Sequence, residues 1–544
     1  MKRSSGYEQV TRLNRRIFLR RGAEAGVAAV AICRGGINIL RAAASDTPDA
    51  GDLEEATIAG LQEMMRAGKL SARVLADEYL KRIEKLDKRG PALNSVIEIN
   101  PDAESIAADL DRERKSGRPR GPLHGIPVLI KDNIDTADRM LTTAGSLALV
   151  GAKPLRDAFI VRRLREAGAV ILGKTNLSEW ANFRSTHSTS GWSGRGGLTR
   201  NPYAIERNPC GSSSGSGVAV AANLCAVAVG TETDGSIVCP SSANSLVGFK
   251  PTLGLVSRSG IIPIAHSQDT AGPMARNVAD AAILLGVLAG FDPLDAVTAG
   301  GRGRAADYTR FLDPRGLRGA RVGVARKFFG FNERVDKLLN EAIEVMKRQG
   351  AVLVDPADIP TMGKFDASEF EVLLYEFKAD LNKYLAGLGP DAPVRTLKEI
   401  IEFNEKNRER EMPYFGQEIL LMAEKKGPLT SRAYRQALAK NHRLARAEGI
   451  DAVMRRHRLD AIVAPTGGPP WMTDLINGDH FSGGSSTPAA VAGYPNITVP
   501  AGYVFDLPVG ISFFGAAYTE PKLFKLAYAF EQATKLRQPP KISG

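Results

Sequence analysis

From residue 120 onward the chain alternates short apolar runs with helically spaced segments, and this rhythm restricts the fold more than any other feature. The runs are "PVLI" (127–130), "AVIL" (169–172), "AVAVG" (226–230), "ARVGVA" (320–325), "DAIVAP" (460–465), "NITVP" (496–500) and "PVGISFF" (508–514). They lack apolar–polar alternation, so each suits a strand covered on both faces. Between them, 156–167, 215–224, 277–290, 331–349 and 521–535 place apolar residues at helical spacing. Segments 53–66, 71–86 and 102–116 do the same upstream, the last opened by Asn100 and Pro101 as cap and first turn. The expected fold is α/β: one large domain over 45–544, with a central twisted mixed β-sheet covered by helices on both faces. Residues 366–450, charged, helical and strand-poor, read as an insertion beside that core. At 544 residues and 43% hydrophobic, the chain can bury such a core without metal or disulfide.

The net charge of +12 points away from a nucleic-acid partner once its location is considered, because residues 1–44 carry +7 and leave only +5 for the rest. Within that leader, "NRRIFLRR" (14–21) precedes the apolar "AGVAAVAI", and "RAAAS" (41–45) offers small residues for cleavage after Ala44. This order fits a twin-arginine export signal over 1–44, with Asn14 and Arg34 as departures from the usual pattern. The mature protein is then expected to be periplasmic or secreted, with no stable membrane association after export; a basic arm on a cytoplasmic protein is the alternative. Of the four cysteines, Cys33 lies in the leader, and Cys210, Cys225 and Cys239 sit among small apolar residues. No spacing suits a metal, so buried free thiols are expected, with one disulfide open in an oxidising compartment.

Two Gly/Ser stretches carry the chemistry: "CGSSSGSG" (210–217) and "GTETDGSI" (230–237). The first runs straight into apolar sequence, so it is no linker, and it lacks the Lys-Ser/Thr ending of a phosphate loop. It contains a G-x-S-x-G match centred on Ser213, but that elbow needs a preceding strand and a late base histidine. "YAIERNP" makes a poor strand, and two of the late histidines, His442 and His457, lie in charged helical sequence. In the second stretch, a buried run ends in a turn at Ser236, where the N–H groups of Thr233, Asp234, Gly235 and Ser236 can converge as an oxyanion hole. A serine at its free pKa is inert and needs a base. Lys131 directly follows the apolar run 127–130, and desolvation there favours a neutral amine. A buried ion pair with Asp132 or Asp135 accounts for the same lysine and, on that residue alone, is the commoner outcome.

Together, "GIPVLIKDN", "GKTNLSEW", "CGSSSGSG", "GTETDGSI" and "GFKPTLGLVSRSGIIP" resemble the amidase signature family, in order and spacing, over roughly residues 53–540. "SEWANFRS", "ERNPCGSSSGS" and "GTETDGSIVCP" are most similar to its bacterial peptide amidase branch. The resemblance implies a Ser-cisSer-Lys trio: Ser236 as nucleophile, Ser212 as relay after a cis Gly211–Ser212 peptide, and Lys131 as base. It also implies hydrolysis of C-terminal peptide amides or amino-acid amides, with no cofactor and no metal, by a monomer or homodimer. The same chemistry on aryl amides, carbamates or esters is the alternative. An amidotransferase A-type subunit is a further one, which the export leader opposes. Cys210, Ser214 and Asp234 depart from the commonest family pattern. Asn182 and Ser213 are candidate substrate contacts, Ser213 also fitting a hydrogen bond that holds the loop. Asp132 is expected to support Lys131, and Trp192, Phe331 and Trp471 to line an acyl pocket or fill the core.

Overall fold

The computed structural model describes residues 53–304 and 307–542; the leader and its proposed cleavage point lie outside them. Eleven strands form one sheet: β1 (Val96–Ile99), β2 (Pro127–Lys131), β3 (Val170–Thr175), β4 (Val227–Glu232), β5 (Val247–Lys250), β6 (Thr270–Ala275), β7 (Arg321–Val324), β8 (Val352–Val354), β9 (Ala461–Pro465), β10 (Asn496–Val504) and β11 (Leu507–Phe514). Their spatial order is β1-β3-β2-β4-β6-β5-β10-β11-β9-β7-β8. The β3, β2 and β4 strands run parallel, as do β9, β7 and β8 at the other end, while the centre is antiparallel. The sheet is thus mixed and flanked by helices, a single α/β domain as expected.

Burial explains the unalternating runs: every residue of β2, β3, β4, β9 and β11 is buried, so both faces of these strands must be apolar or hydrogen-bonded. The strands missed in the sequence have identifiable causes. β6 reads "TAGPMA", and its Gly272 lies so close to the neighbouring strand that a Cβ would come within 2.0 Å of the Phe249 carbonyl oxygen. Close approach therefore demands small residues where strand propensity would ask for branched ones. β1, β5 and β8 are three or four residues long, too short for a period to register.

Helix starts follow their caps. Thr57, Ser71, Asn277 and Thr396 each accept a hydrogen bond from a first-turn N–H of the helix that follows. Asn100 does not act as predicted. The helix begins at Ala103; Asn100 instead accepts from Asp102 N (3.0 Å) and donates to Ile171 O of β3 (2.8 Å), pinning the loop to β3.

Residues 366–450 are helical, with segments Asp366–Ala386, Leu397–Lys406, Glu418–Glu424 and Arg432–His442. Leu374, Phe377, Leu381, Leu385, Ile400 and Leu420 of these helices form a second apolar cluster with Ala144, Leu149, Trp180, Ile262 and Ile264. That cluster holds Asp366–Ala386 against the loops that follow β2 and precede β6. Among the described residues, no helix is long and apolar enough to cross a membrane.

Candidate active site

Lys131 ends β2 and is fully buried. Because β2 lies beside β4 in parallel register (Ile130 opposite Val229), its ammonium reaches the end of β4. Nζ donates to Thr231 Oγ1 (2.9 Å), to the Thr231 carbonyl (3.3 Å) and to Ser212 Oγ (2.8 Å). No carboxylate of the described residues pairs with it. Burial pulls Lys131 down to about 7, and the charges of Asp269 and Glu232 oppose this only in part.

The two acids that could have formed an ion pair are held elsewhere. Asp132 accepts from Arg195 Nη1 (3.3 Å), the Gly145 amide (3.3 Å) and the Thr143 hydroxyl. Asp135 accepts from Tyr384 OH (2.8 Å). Both face a second buried lysine, Lys174, which is itself bonded to Ile134 O (2.6 Å) and Thr142 Oγ1 (2.8 Å). Asp132 is therefore not the support expected for Lys131. That place is taken by Thr231, whose Oγ1 also accepts from Asn133 Nδ2 (3.0 Å). Sequence reasoning singled out neither residue, although Asn133 lies in "GIPVLIKDN" and Thr231 in "GTETDGSI".

Gly211–Ser212 is a cis peptide, the geometry the resemblance implied, and Ser212 is fully buried. The next helix, Ser214–Ala221, starts at once and packs so tightly that a Cβ on Gly215 would lie 2.2 Å from Ser95 O and 2.5 Å from Asn176 O. Ser213, weighed as a substrate contact, is fully buried and bonded to strand β4: its Oγ donates to Thr231 O (3.1 Å) and accepts from Thr231 N (3.2 Å). It ties the loop to the strand. Its own N–H donates to Ser236 O (3.2 Å), joining the two Gly/Ser stretches.

The turn after β4 is shaped by Glu232, which accepts from the amides of Ile237 (2.7 Å) and Val238 (3.0 Å). Gly235 takes a positive φ of 78° within it. Among the described residues, the amides of Thr233, Asp234, Gly235 and Ser236 donate to nothing, and the Ser236 hydroxyl, on a residue 7% exposed, has no partner. The turn thus holds four consecutive amides without an acceptor and one unpaired hydroxyl in a nearly buried loop. The Asp234 carboxylate accepts from Thr487 Oγ1 (2.7 Å). No histidine of the described residues hydrogen-bonds any of these serines. His266 is engaged by Asp380 (2.7 Å) and Glu376 (3.4 Å).

The cysteines overturn the free-thiol expectation. Cys210 and Cys239 form a disulfide with Cα atoms 6.0 Å apart. The pair flanks the two loops, one cysteine before Gly211 and the other after Ser236, so the approach that brings the serines together also brings the sulfurs together. Cys225 remains a buried thiol, pushed up to about 12 by burial.

Asn182 stands on a left-handed turn with Trp180 and Ala181 (φ 50°, 53° and 71° for Trp180, Ala181 and Asn182). Its Nδ2 donates to Ser190 Oγ (2.8 Å), and its buried Oδ1 has no partner. Beside the site opens a cavity of about 490 Å³, whose inner end is Thr231–Thr233 and whose sides include Asn133, Ala181, Ile262 and Tyr384. Trp192, Phe331 and Trp471 do not line it. Trp192 instead packs on Phe415 and the buried Arg184 guanidinium, and Trp471 on Phe481.

Comparison with known proteins bears on what this arrangement does. Residues 75–524 match the family model described as Amidase. A probable amidase of Arabidopsis thaliana is 44% identical over 500 residues, 90% of this chain and 92% of that one. A putative amidase of Schizosaccharomyces pombe is 37% identical over 522 residues, 90% of this chain and 87% of that one. The crystal structure of native peptide amidase from Stenotrophomonas maltophilia superposes with a TM-score of 0.86 at 54% identity, covering 90% of this chain and 99% of that one.

Proposed function

The chain belongs to the Amidase family and is an amide-hydrolysing enzyme; from that premise we propose that it is a serine hydrolase releasing ammonia from C-terminally amidated peptides or amino-acid amides. Neutral Lys131 accepts the proton of Ser212 as Ser212 accepts that of Ser236. Ser236 Oγ then bonds to the amide carbon, and the resulting oxyanion meets the free amides of residues 233–236. The proton returns through Ser212 to the amide nitrogen, the carbon–nitrogen bond breaks, and ammonia leaves an ester on Ser236. Water gives its proton to the same chain of groups, attacks the ester, and releases the carboxylic acid with Ser236 restored.

One observation carries this reading: the buried Lys131 amine, brought to about 7 and unpaired with any acid, lies 2.8 Å from the Ser212 hydroxyl. A lysine held as an ion would have no proton-accepting capacity at neutral pH. Ser236→Ala and Lys131→Ala should each abolish ammonia release while the protein stays folded. Retained activity in Lys131→Ala at pH 7 would return the base to a histidine. The substrate class rests on the likeness to peptide amidase, and kcat/KM over peptide amides, amino-acid amides, anilides, carbamates and esters tests it. Export through the twin-arginine leader completes the proposal, supported by the Cys210–Cys239 disulfide, since such bonds persist in oxidising compartments.

A further inference from the structure

The charges around the cavity at Thr231–Thr233 sort into two kinds. Most have partners within the protein. Asp269 accepts from Thr233 Oγ1 (2.6 Å) and from the amides of Ile264 and Ala265 (2.8 Å each). Asp295 pairs with Arg258 (2.5 Å), Asp380 with His266 (2.7 Å), and Asp135 takes the Tyr384 hydroxyl. Glu232, also in the wall, accepts from the amides of Ile237 (2.7 Å) and Val238 (3.0 Å) through one oxygen, its Oε1 having no partner among the described residues. The cations Arg156 and Lys383 remain, both exposed. Neither forms an ion pair or side-chain hydrogen bond among the described residues. Arg156 comes from the loop before helix Phe159–Glu166 and Lys383 from helix Asp366–Ala386, so they reach one opening from separate parts of the chain.

The same opening is apolar at its lips. Leu155 is 72% and Leu294 62% exposed, both in the cavity wall, while Ile261, Ile262 and Ile264 line the interior. Exposed leucines at a concave mouth mark a surface to be covered by ligand. The inner end adjoins the chemistry, since Thr231 touches Lys131 Nζ (2.9 Å) and Thr233 supplies one of the free amides. A substrate whose amide carbon meets Ser236 can thus extend its acyl side over apolar walls toward two unmatched cations.

We propose, on the basis of the peptide-amide reading above, that this cavity binds the acyl side of the substrate and that Arg156 and Lys383 select amidated peptides bearing a carboxylate upstream of an apolar C-terminal residue. The two side chains are specificity determinants, remote from the reacting atoms. Their contribution lies in binding and is screened by salt.

The test compares three peptide amides that share an apolar amidated residue and carry Glu, Gln or Lys upstream, with kcat/KM measured at low and at high ionic strength. The wild-type enzyme should prefer the Glu peptide over the Lys peptide by about fivefold or more at low salt, a size set by two partly exposed charge contacts. The difference should appear in KM and shrink as salt rises. Arg156→Glu and Lys383→Glu should each narrow the preference and together reverse it, leaving the Gln peptide within about twofold of its wild-type rate. Because both positions are exposed, folding is expected to survive, and a thermal melt checks it. Equal rates on all three peptides, or a preference that the double variant leaves unchanged, overturn the selectivity proposal but not the peptide-amide reading. Absence of turnover on all three peptides, with turnover of an anilide, overturns both.

Discussion

Replacing Thr231 by valine keeps the shape of the residue and removes the oxygen that holds Lys131. Thr231 Oγ1 accepts from the Lys131 amine at 2.9 Å in a fully buried setting. A hydrogen bond to a charged group contributes about 1.5–3 kcal/mol. It favours the ammonium form, so its loss lowers the lysine pKa further; at 1.36 kcal/mol per unit, the drop is about 1–2 units. The Thr231 carbonyl (3.3 Å) and Ser212 Oγ (2.8 Å) remain as acceptors, which favours the smaller value. In the wild-type enzyme Lys131 becomes a competent base as pH rises through about 7, so kcat/KM for ammonia release should climb across that value. In Thr231→Val the climb should move to about pH 5–6, on the same scale of one to two units. The plateau should fall, because a weaker base accepts the serine proton less readily. Asn133 Nδ2 loses its acceptor too, so a stability loss of about 1–3 kcal/mol should accompany the shift. The assay is ammonia release from one peptide amide between pH 5 and 9, with a thermal melt at each end. A folded Thr231→Val enzyme whose acid limb stays in place, or moves upward, refutes Lys131 as the titrating base held by Thr231.

Three other perturbations separate structure from chemistry. Cys210→Ser with Cys239→Ser opens a loop with a sequence separation of 29 residues; the chain-entropy argument assigns it about 3–4 kcal/mol. Tm should fall, kcat should fall with it because both serine loops are released, and an unchanged melt of the double variant would contradict the clamp. Gly215→Ala places a methyl 2.2 Å from Ser95 O, against backbone that cannot swing aside, so it should abolish the folded protein at 37 °C; a stable, active variant would show that the helix can shift. Glu179→Ala leaves the fully buried Arg184, paired to it at 2.5 Å, without its nearer carboxylate. The expected loss is about 3–5 kcal/mol by denaturant unfolding, and a loss below 1 kcal/mol would mean that Glu411 alone neutralises the guanidinium.

The sheet was legible wherever burial on both faces forced an apolar run, as at 127–131, 170–175 and 461–465. It was illegible where the neighbouring strand comes too close for a side chain, as at Gly272, because packing there overrides strand propensity. Ser212, Ser236 and Lys131 could be named because motif spacing marks them, and the order of the motifs is a one-dimensional property. What lies around them is not. Asp132 follows Lys131 directly, yet in a strand successive side chains leave on opposite sides. Its carboxylate therefore meets Arg195 and Thr143, while Lys131 is left with hydroxyls and a carbonyl. Whether that lysine is an ion or an amine depends on groups 81 to 138 residues away, of which Ser212, Thr231, Glu232 and Asp269 are the nearest.

The cysteines divide in the same way. Three small, apolar surroundings are alike in sequence, and only the approach of two loops brings Cys210 to Cys239 and leaves Cys225 alone. By itself the sequence determined the layered α/β architecture, the family likeness and the three residues proposed to act, because periodicity and motif order are carried by neighbours along the chain. The tertiary structure decided the lowered pKa of Lys131, the free amides beside Ser236, the disulfide and the charged mouth of the cavity. Each of these is set by desolvation and by distances between segments that only folding brings together.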